Sequence, residues 1–139
     1  MKDLLKKFRE NKKGFTLAEL LVVVAIVAIL VAISVPIFTT QLGKARRATN
    51  QANMRAAKVA AISQYLTDGY DGVQETYVYS IEAGTVTVAT NSFKKDDYTI
   101  KTIDEAATDK VYDSIAVEVK AASSTSKDGD ATVVTILVK

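Results

Sequence analysis

The chain has 139 residues, 48% of them hydrophobic and 24% charged, with 18 Lys+Arg, 16 Asp+Glu, one proline and no cysteine or histidine. That length suits one modest folded unit, and the missing Cys and His exclude disulfides, Cys/His zinc sites, thiol chemistry and any His-based acid–base relay. The formal charge of +2 is the sum of very unequal blocks, and the blocks carry the information.

Residues 1–14 hold six bases (Lys2, Lys6, Lys7, Arg9, Lys12, Lys13) against Asp3 and Glu10, which makes a cationic leader. Residues 15–38, FTLAELLVVVAIVAILVAISVPIF, are apolar apart from Thr16, Ser34 and one carboxylate, Glu19. As a helix this run would measure about 35 Å, enough to cross a hydrocarbon core of about 30 Å. Residues 39–67 keep helical character but change solvent, with Lys44, Arg46, Arg47, Arg55 and Lys58 and no acid. Leu42, Ala45, Thr49, Ala52, Ala56, Val59, Ser63 and Leu66 recur in steps of three and four, which predicts one apolar helical face. Lys44, Arg47, Gln51, Arg55 and Lys58 predict a basic face beside it. Past Val59 the apolar character spreads to Ile62 and Tyr65, so a folded head is expected to pack on that end.

Gly69 and Gly72 break the helix, and the period then changes to short β-branched and aromatic runs. These predict strands near 75–82, 85–90, 113–121 and 131–138, with a hairpin turn at Gly84 and a turn at Asp128-Gly129-Asp130. No period assigns 92–112. From Asp68 onward there are 13 acids and 7 bases, so the head, 68–139, is acidic.

Three readings of the apolar run compete. A plain membrane anchor accounts for its length and its cationic flank but leaves Glu19 unexplained, since a carboxylate near the midplane costs about 2.5–3.5 kcal/mol to insert. A secretory signal cut after Ala32-Ile33-Ser34 would discard Glu19 and leave 39–67 as a loose N-terminus. The third reading takes the polar–apolar junction as the signal. Residues Lys12 to Phe38, with Gly14 ending a basic leader, Phe15 after it, Glu19 four residues on and Pro36 within the apolar run, closely resemble the N-terminus of type IV prepilins and of the related pseudopilins of type II secretion and DNA-uptake machines. The resemblance implies that a membrane-embedded aspartyl prepilin peptidase cleaves between Gly14 and Phe15 and methylates the new Phe15 amine. Where some family members place a helix-breaking glycine in the apolar helix, this chain has Ala28. Pro36 is expected to kink the helix near Ala32–Pro36.

Under this third reading the leader holds the N-terminus in the cytosol until it is removed. Cleavage leaves one α-amine at Phe15, at about the depth of the Glu19 carboxylate of a neighbouring subunit. The two charges would set axial register, while the aliphatic residues supply the packing. The competing account of Glu19 is a carboxylate that snorkels to the interface at a helix start.

Other chemistry is weakly represented. The turns Asp68-Gly69-Tyr70-Asp71-Gly72 and Asp128-Gly129-Asp130 offer oxygen ligands for calcium, yet neither fits a twelve-residue calcium loop, and Asp-Gly is foremost a turn former, so no metal site is assigned. No nucleophile–base pair or paired catalytic carboxylates are legible, so no enzymatic activity and no cofactor are expected. An acidic head repels phosphate, and direct nucleic-acid binding is not expected.

The expected fold class is α+β and pilin-like, one long N-terminal helix whose second half packs on a small antiparallel sheet of three or four strands. The expected function is structural, a major-pilin-like subunit of a type IV pilus. The alternatives are a major pseudopilin of a type II secretion or competence apparatus and, less in keeping with the motif, a membrane-anchored binding or sensor domain. The resemblance implies as partners further copies of the chain, the peptidase/methyltransferase, and an assembly platform with its motor ATPase. It also implies a single-pass precursor in the inner or cytoplasmic membrane, with a cytoplasmic N-terminus, that becomes an extracellular fibre.

Overall fold

The computed structural model describes Gly14, residues 16–68, 74–120 and 133–139. The described elements are a 51-residue helix α1 (Leu17–Thr67) and strands β1 (Glu75–Ser80), β2 (Thr85–Val88), β3 (Thr99–Ile100), β4 (Ile115–Lys120) and β5 (Val133–Val138), with single 3-10 turns at Lys95–Asp97 and Ile103–Glu105. The five strands form one antiparallel sheet in the order β2-β1-β4-β5-β3. The layout is α+β, as expected, with a fifth strand. That strand, β3, is two residues long and falls in 92–112, too short for an alternating pattern to register.

The chain divides into two units, Met1–Thr40 and Gln41–Lys139. In the first, every described side chain from Thr16 to Thr40 is exposed, including Leu20, Ile26, Leu30 and Phe38. Apolar residues all round a helix mark one that belongs in lipid or among other helices. Among the described residues, α1 is long and apolar enough to cross a membrane.

In the second unit, α1 buries Asn50, Met54, Ala57, Ala61 and Tyr65, a stripe at steps of four and three. Alternate residues of the sheet close on it: Tyr77 and Tyr79 from β1, Ile115, Val117 and Val119 from β4, and Ile136 and Val138 from β5. Ala57 and Ala61 are fully buried within this cluster. The stripe expected from spacing lies on the opposite side: Ala45, Thr49, Ala52, Ala56, Val59, Ser63 and Leu66 are all exposed, Val59 and Leu66 by 67% and 61%. Volume and hydrogen bonding decided between the faces. Met54 and Tyr65 fill more space than any pair on the other stripe, and Asn50 is buried because the head satisfies it.

Asn50 Nδ2 donates to the carbonyls of Ala107 and Lys110 at 3.0 and 2.9 Å, and its Oδ1 accepts from the Tyr112 amide at 3.0 Å. Arg46 and Arg47 donate to the carbonyls of Asp109 and Asp104 at 2.7 and 2.6 Å. The loop before β4 is thus tied to the helix through its own backbone carbonyls. Arg47, placed on the basic face by spacing, is occupied within the chain. A capping box between Thr102 and Glu105 starts the turn in this loop, and its hydrogen bonds to Glu105 hold that carboxyl below its ordinary pKa.

The other face of the sheet is covered too. Ala116 and Leu137 are buried there, and the segment between β2 and β3 brings Lys95 to the Glu118 carboxylate at 2.7 Å and the Tyr98 hydroxyl to Ser114 Oγ at 2.9 Å. Between β1 and β2, Gly84 takes φ +68°, the left-handed conformation that favours glycine, and its amide bonds the Ser80 carbonyl at 2.8 Å. The hairpin expected at Gly84 is present. The turn expected at Asp128-Gly129-Asp130 and the breakers Gly69 and Gly72 lie outside the described residues.

Candidate functional site

At the start of α1, Thr16 stands just before the first helical residue, Leu17, and Glu19 is the third residue of the helix. Glu19 Oε2 accepts from the Thr16 backbone amide at 2.9 Å, and Thr16 Oγ1 accepts from the Glu19 amide at 3.2 Å. This reciprocal pair is a capping box, which satisfies two of the amide donors that every helix start leaves open. A negative group in the first turn also complements the positive end of the helix dipole. Glu19 therefore has a partner in its own chain, through one of its two oxygens. Among the described residues Oε1 accepts no hydrogen bond, so the carboxylate keeps acceptor capacity toward a second donor.

Thr16 is not among the residues that the family resemblance singles out. Its signal is nonetheless in the sequence, since Thr16-Leu17-Ala18-Glu19 is the S/T-x-x-E pattern ahead of an apolar run. Gly14 is exposed, and a Cβ built on it meets nothing within 4 Å. Nothing in the described chain requires glycine there. Phe15 lies outside the described residues.

Pro36 sits inside α1, and the helix is unbroken on both sides of it. A proline there removes one amide donor, and the hydroxyls around it turn inward onto backbone carbonyls. Ser34 Oγ donates to the Leu30 carbonyl at 2.7 Å, and Thr39 and Thr40 both donate to the Pro36 carbonyl at 3.0 Å. Each hydroxyl is thereby satisfied without water, which allows polar side chains to sit in an apolar surround.

Residues 9–35 match the prokaryotic N-terminal methylation motif. The chain carries the type IV pilin and pseudopilin signal. No curated protein and no solved structure matches. The matched span covers Gly14, Phe15, Thr16 and Glu19 and stops one residue short of Pro36, so it speaks for the N-terminal helix and not for the head. It supports a type IV pilin-like or pseudopilin subunit made as a membrane-anchored precursor.

Of the two Asp-rich turns, Asp68 alone lies among the described residues. Asp68 accepts from Gln64 Nε2 at 2.7 Å and from the Tyr77 hydroxyl at 3.2 Å, while Asp71, Asp128 and Asp130 lie outside the described residues. Burial, then the carboxylate of Asp68, push the Tyr77 phenol up to about 12. Among the described residues no cluster of carboxylates gathers that would hold a metal ion.

Proposed function

We propose that this chain is a structural fibre subunit, major-pilin-like, cut between Gly14 and Phe15, methylated on the Phe15 amine and polymerised through α1. The observation that carries the reading is an all-round apolar helix, exposed on every side from Leu17 to Phe38, that starts with a single carboxylate already oriented by Thr16. Such a surface is stable in lipid before assembly and among copies of itself afterwards. Once it leaves lipid, each Å² of it hidden from water is worth about 25 cal/mol.

In the division of labour that follows, residues 1–14 hold the precursor in the membrane and 15–38 form the fibre core. The stretch 39–67 carries the head, 68–139. The Glu19 carboxylate, capped through Oε2, receives the freed Phe15 amine of a neighbouring copy at Oε1 and sets the axial step. The capping amide belongs to Thr16, beyond the scissile bond, so the cap survives cleavage. Bending at Pro36 lets the helix follow the fibre.

Mass spectrometry of the mature protein tests the first half of this reading, with an N-methylated Phe15 as the expected N-terminus. An uncut chain overturns it. Electron microscopy of sheared surface material tests the second half: long fibres are expected of a pilus, and short ones would assign the chain to a secretion or DNA-uptake pseudopilus. A membrane-anchored sensor would keep its place and activity when Glu19 is replaced by alanine.

A further inference from the structure

We propose that a row of cations on α1, Lys44, Arg55 and Lys58, is covered in the fibre by the acidic loop of a second copy of this chain, carrying Asp104, Asp109 and Asp113. The proposal rests on the fibre-forming reading, in which residues 15–38 supply the buried area, so the charges are asked only to align copies that packing already holds.

The five cations of 39–67 divide by use. Arg46 and Arg47 reach the loop before β4 of their own chain, as donors to the carbonyls of Asp109 and Asp104. Lys44, Arg55 and Lys58, with Gln51 among them, fall within about 60° of one another around the helix, beside the buried stripe. Lys44 and Arg55 are exposed and Lys58 is half-buried, and among the described residues none of the three forms an ion pair. The loop mirrors this in the opposite sign. Asp104 and Asp109 give the arginines only backbone carbonyls, so their carboxylates, like that of Asp113, stand exposed and without an ion pair among the described residues.

Charge and position select the occupant. The 39–67 stretch holds five bases and no acid, whereas the chain from Asp68 onward holds 13 acids against 7 bases, so a surface complementary to the row is present on every other copy. In one copy the loop is tied at the level of Arg46 to Asn50, while Arg55 and Lys58 stand about 8–18 Å further along α1. A copy shifted by that distance brings its loop level with them. Because the two surfaces differ, the contact is head-to-tail, the kind that builds open filaments. Anionic lipid fits the row less well. From Lys44 to Lys58 the helix rises about 21 Å, against a headgroup layer of about 5–8 Å, so a helix leaving the membrane offers that layer one cation of the three. A nucleic acid laid along the row would meet the acids of the head.

Both surfaces can be reversed with the head intact, since Arg55 and Lys58 form no ion pair among the described residues, and Asp104 and Asp109 keep the carbonyls that hold Arg47 and Arg46. Exposed pairs are each worth up to about fivefold in an equilibrium, and reversal turns attraction into repulsion. Arg55→Glu with Lys58→Glu is expected to lower the fraction of processed subunit recovered in sheared fibres at least about tenfold, and Asp104→Lys with Asp109→Lys likewise. All four changes in one chain should restore recovery to within about twofold of native, with N-terminal cleavage unchanged throughout. The native chain has no cysteine, so contact between copies is read by co-expressing full-length Gln51→Cys and Thr108→Cys chains with tags of different length, which leave every charge in place. A short bismaleimide is expected to give at least about fivefold more 51–108 heterodimer than the 51–85 heterodimer made with Thr85→Cys, a site exposed on β2, because a held contact raises the local concentration of the two thiols. Failure of the fourfold variant to restore fibres, equal heterodimer yields with 108 and 85, or reversal at 55 and 58 that lowers membrane retention instead of fibre recovery would each overturn the proposal. If the native chain makes no fibres, the fibre reading fails by that result alone, and the cross-link between membrane-held copies decides this contact.

Discussion

The capping box gives Glu19 a helix-starting job beside the charge pairing proposed for it, and substitution at two positions pulls the two apart. Gln serves in a capping box as Glu does, so Glu19→Gln keeps an acceptor for the Thr16 amide, now 2.9 Å away, and removes only the charge. Thr16→Val removes the hydroxyl that meets the Glu19 amide at 3.2 Å and keeps the carboxylate. Glu19→Ala removes both. A lost cap costs about 1 kcal/mol, roughly fivefold in an equilibrium. An amine and a carboxylate about 4 Å apart at an effective dielectric near 20 attract by about 4 kcal/mol before desolvation, up to roughly a thousandfold.

Charge pairing across subunits therefore predicts that Glu19→Gln fails nearly as completely as Glu19→Ala, with fibre yield down at least about a hundredfold, while Thr16→Val falls only about fivefold. The assay is the fraction of processed subunit recovered in sheared fibres against the membrane fraction, with cleavage followed by the mass of the N-terminus. Native-like yield from Glu19→Gln, or failure of Thr16→Val as severe as that of Glu19→Ala, would show that Glu19 acts by starting the helix and that no inter-subunit charge pair exists.

Gly14→Arg is expected to leave the head folded, because a Cβ at 14 has no atom of the described residues within 4 Å, and to accumulate as uncut precursor on an immunoblot. Asn50→Ala leaves the carbonyls of Ala107 and Lys110 and the amide of Tyr112 without partners in a buried site, a loss of about 3 kcal/mol or more that denaturant unfolding would register together with faster amide exchange at Tyr112. The Tyr77 phenol, raised to about 12 from an ordinary 10.0, favours the folded state fully below pH 10, and that contribution is lost as pH rises to about 12. Thermal melts across that window should show a fall of about 2–3 kcal/mol that is absent in Tyr77→Phe.

What the sequence made legible follows from how locally each feature is determined. The long helix and the four main strands are written in consecutive residues, and all appear within a few positions of their expected bounds. The hairpin at Gly84 was readable because left-handed backbone favours glycine. Which face of Gln41–Thr67 meets the sheet was not readable from period alone, since two stripes share the same spacing. The buried one begins with an asparagine that scores as polar until Ala107, Lys110 and Tyr112 arrive from about 60 residues away to satisfy it. The capping box at Thr16 was legible in four consecutive letters, but a pattern that marks Gly14, Phe15 and Glu19 does not draw attention to it.

The exposed stripe on the far side of the helix bears on how the subunit balances two environments. Ala45, Ala52 and Ala56 are small, and Thr49 and Ser63 satisfy or expose their hydroxyls, with Thr49 Oγ1 donating to the Ala45 carbonyl at 3.1 Å. Apart from Val59 and Leu66, which stand well exposed, these side chains add little apolar area for water to penalise in a free subunit. The stretch before it, from Leu17 to Phe38, is dominated by Leu, Ile and Val and is stable out of water alone. One continuous helix thus changes from obligatory to optional burial along its length. Glu19 stands at the obligatory end, in the first turn of the helix, where its carboxylate already meets the Thr16 amide.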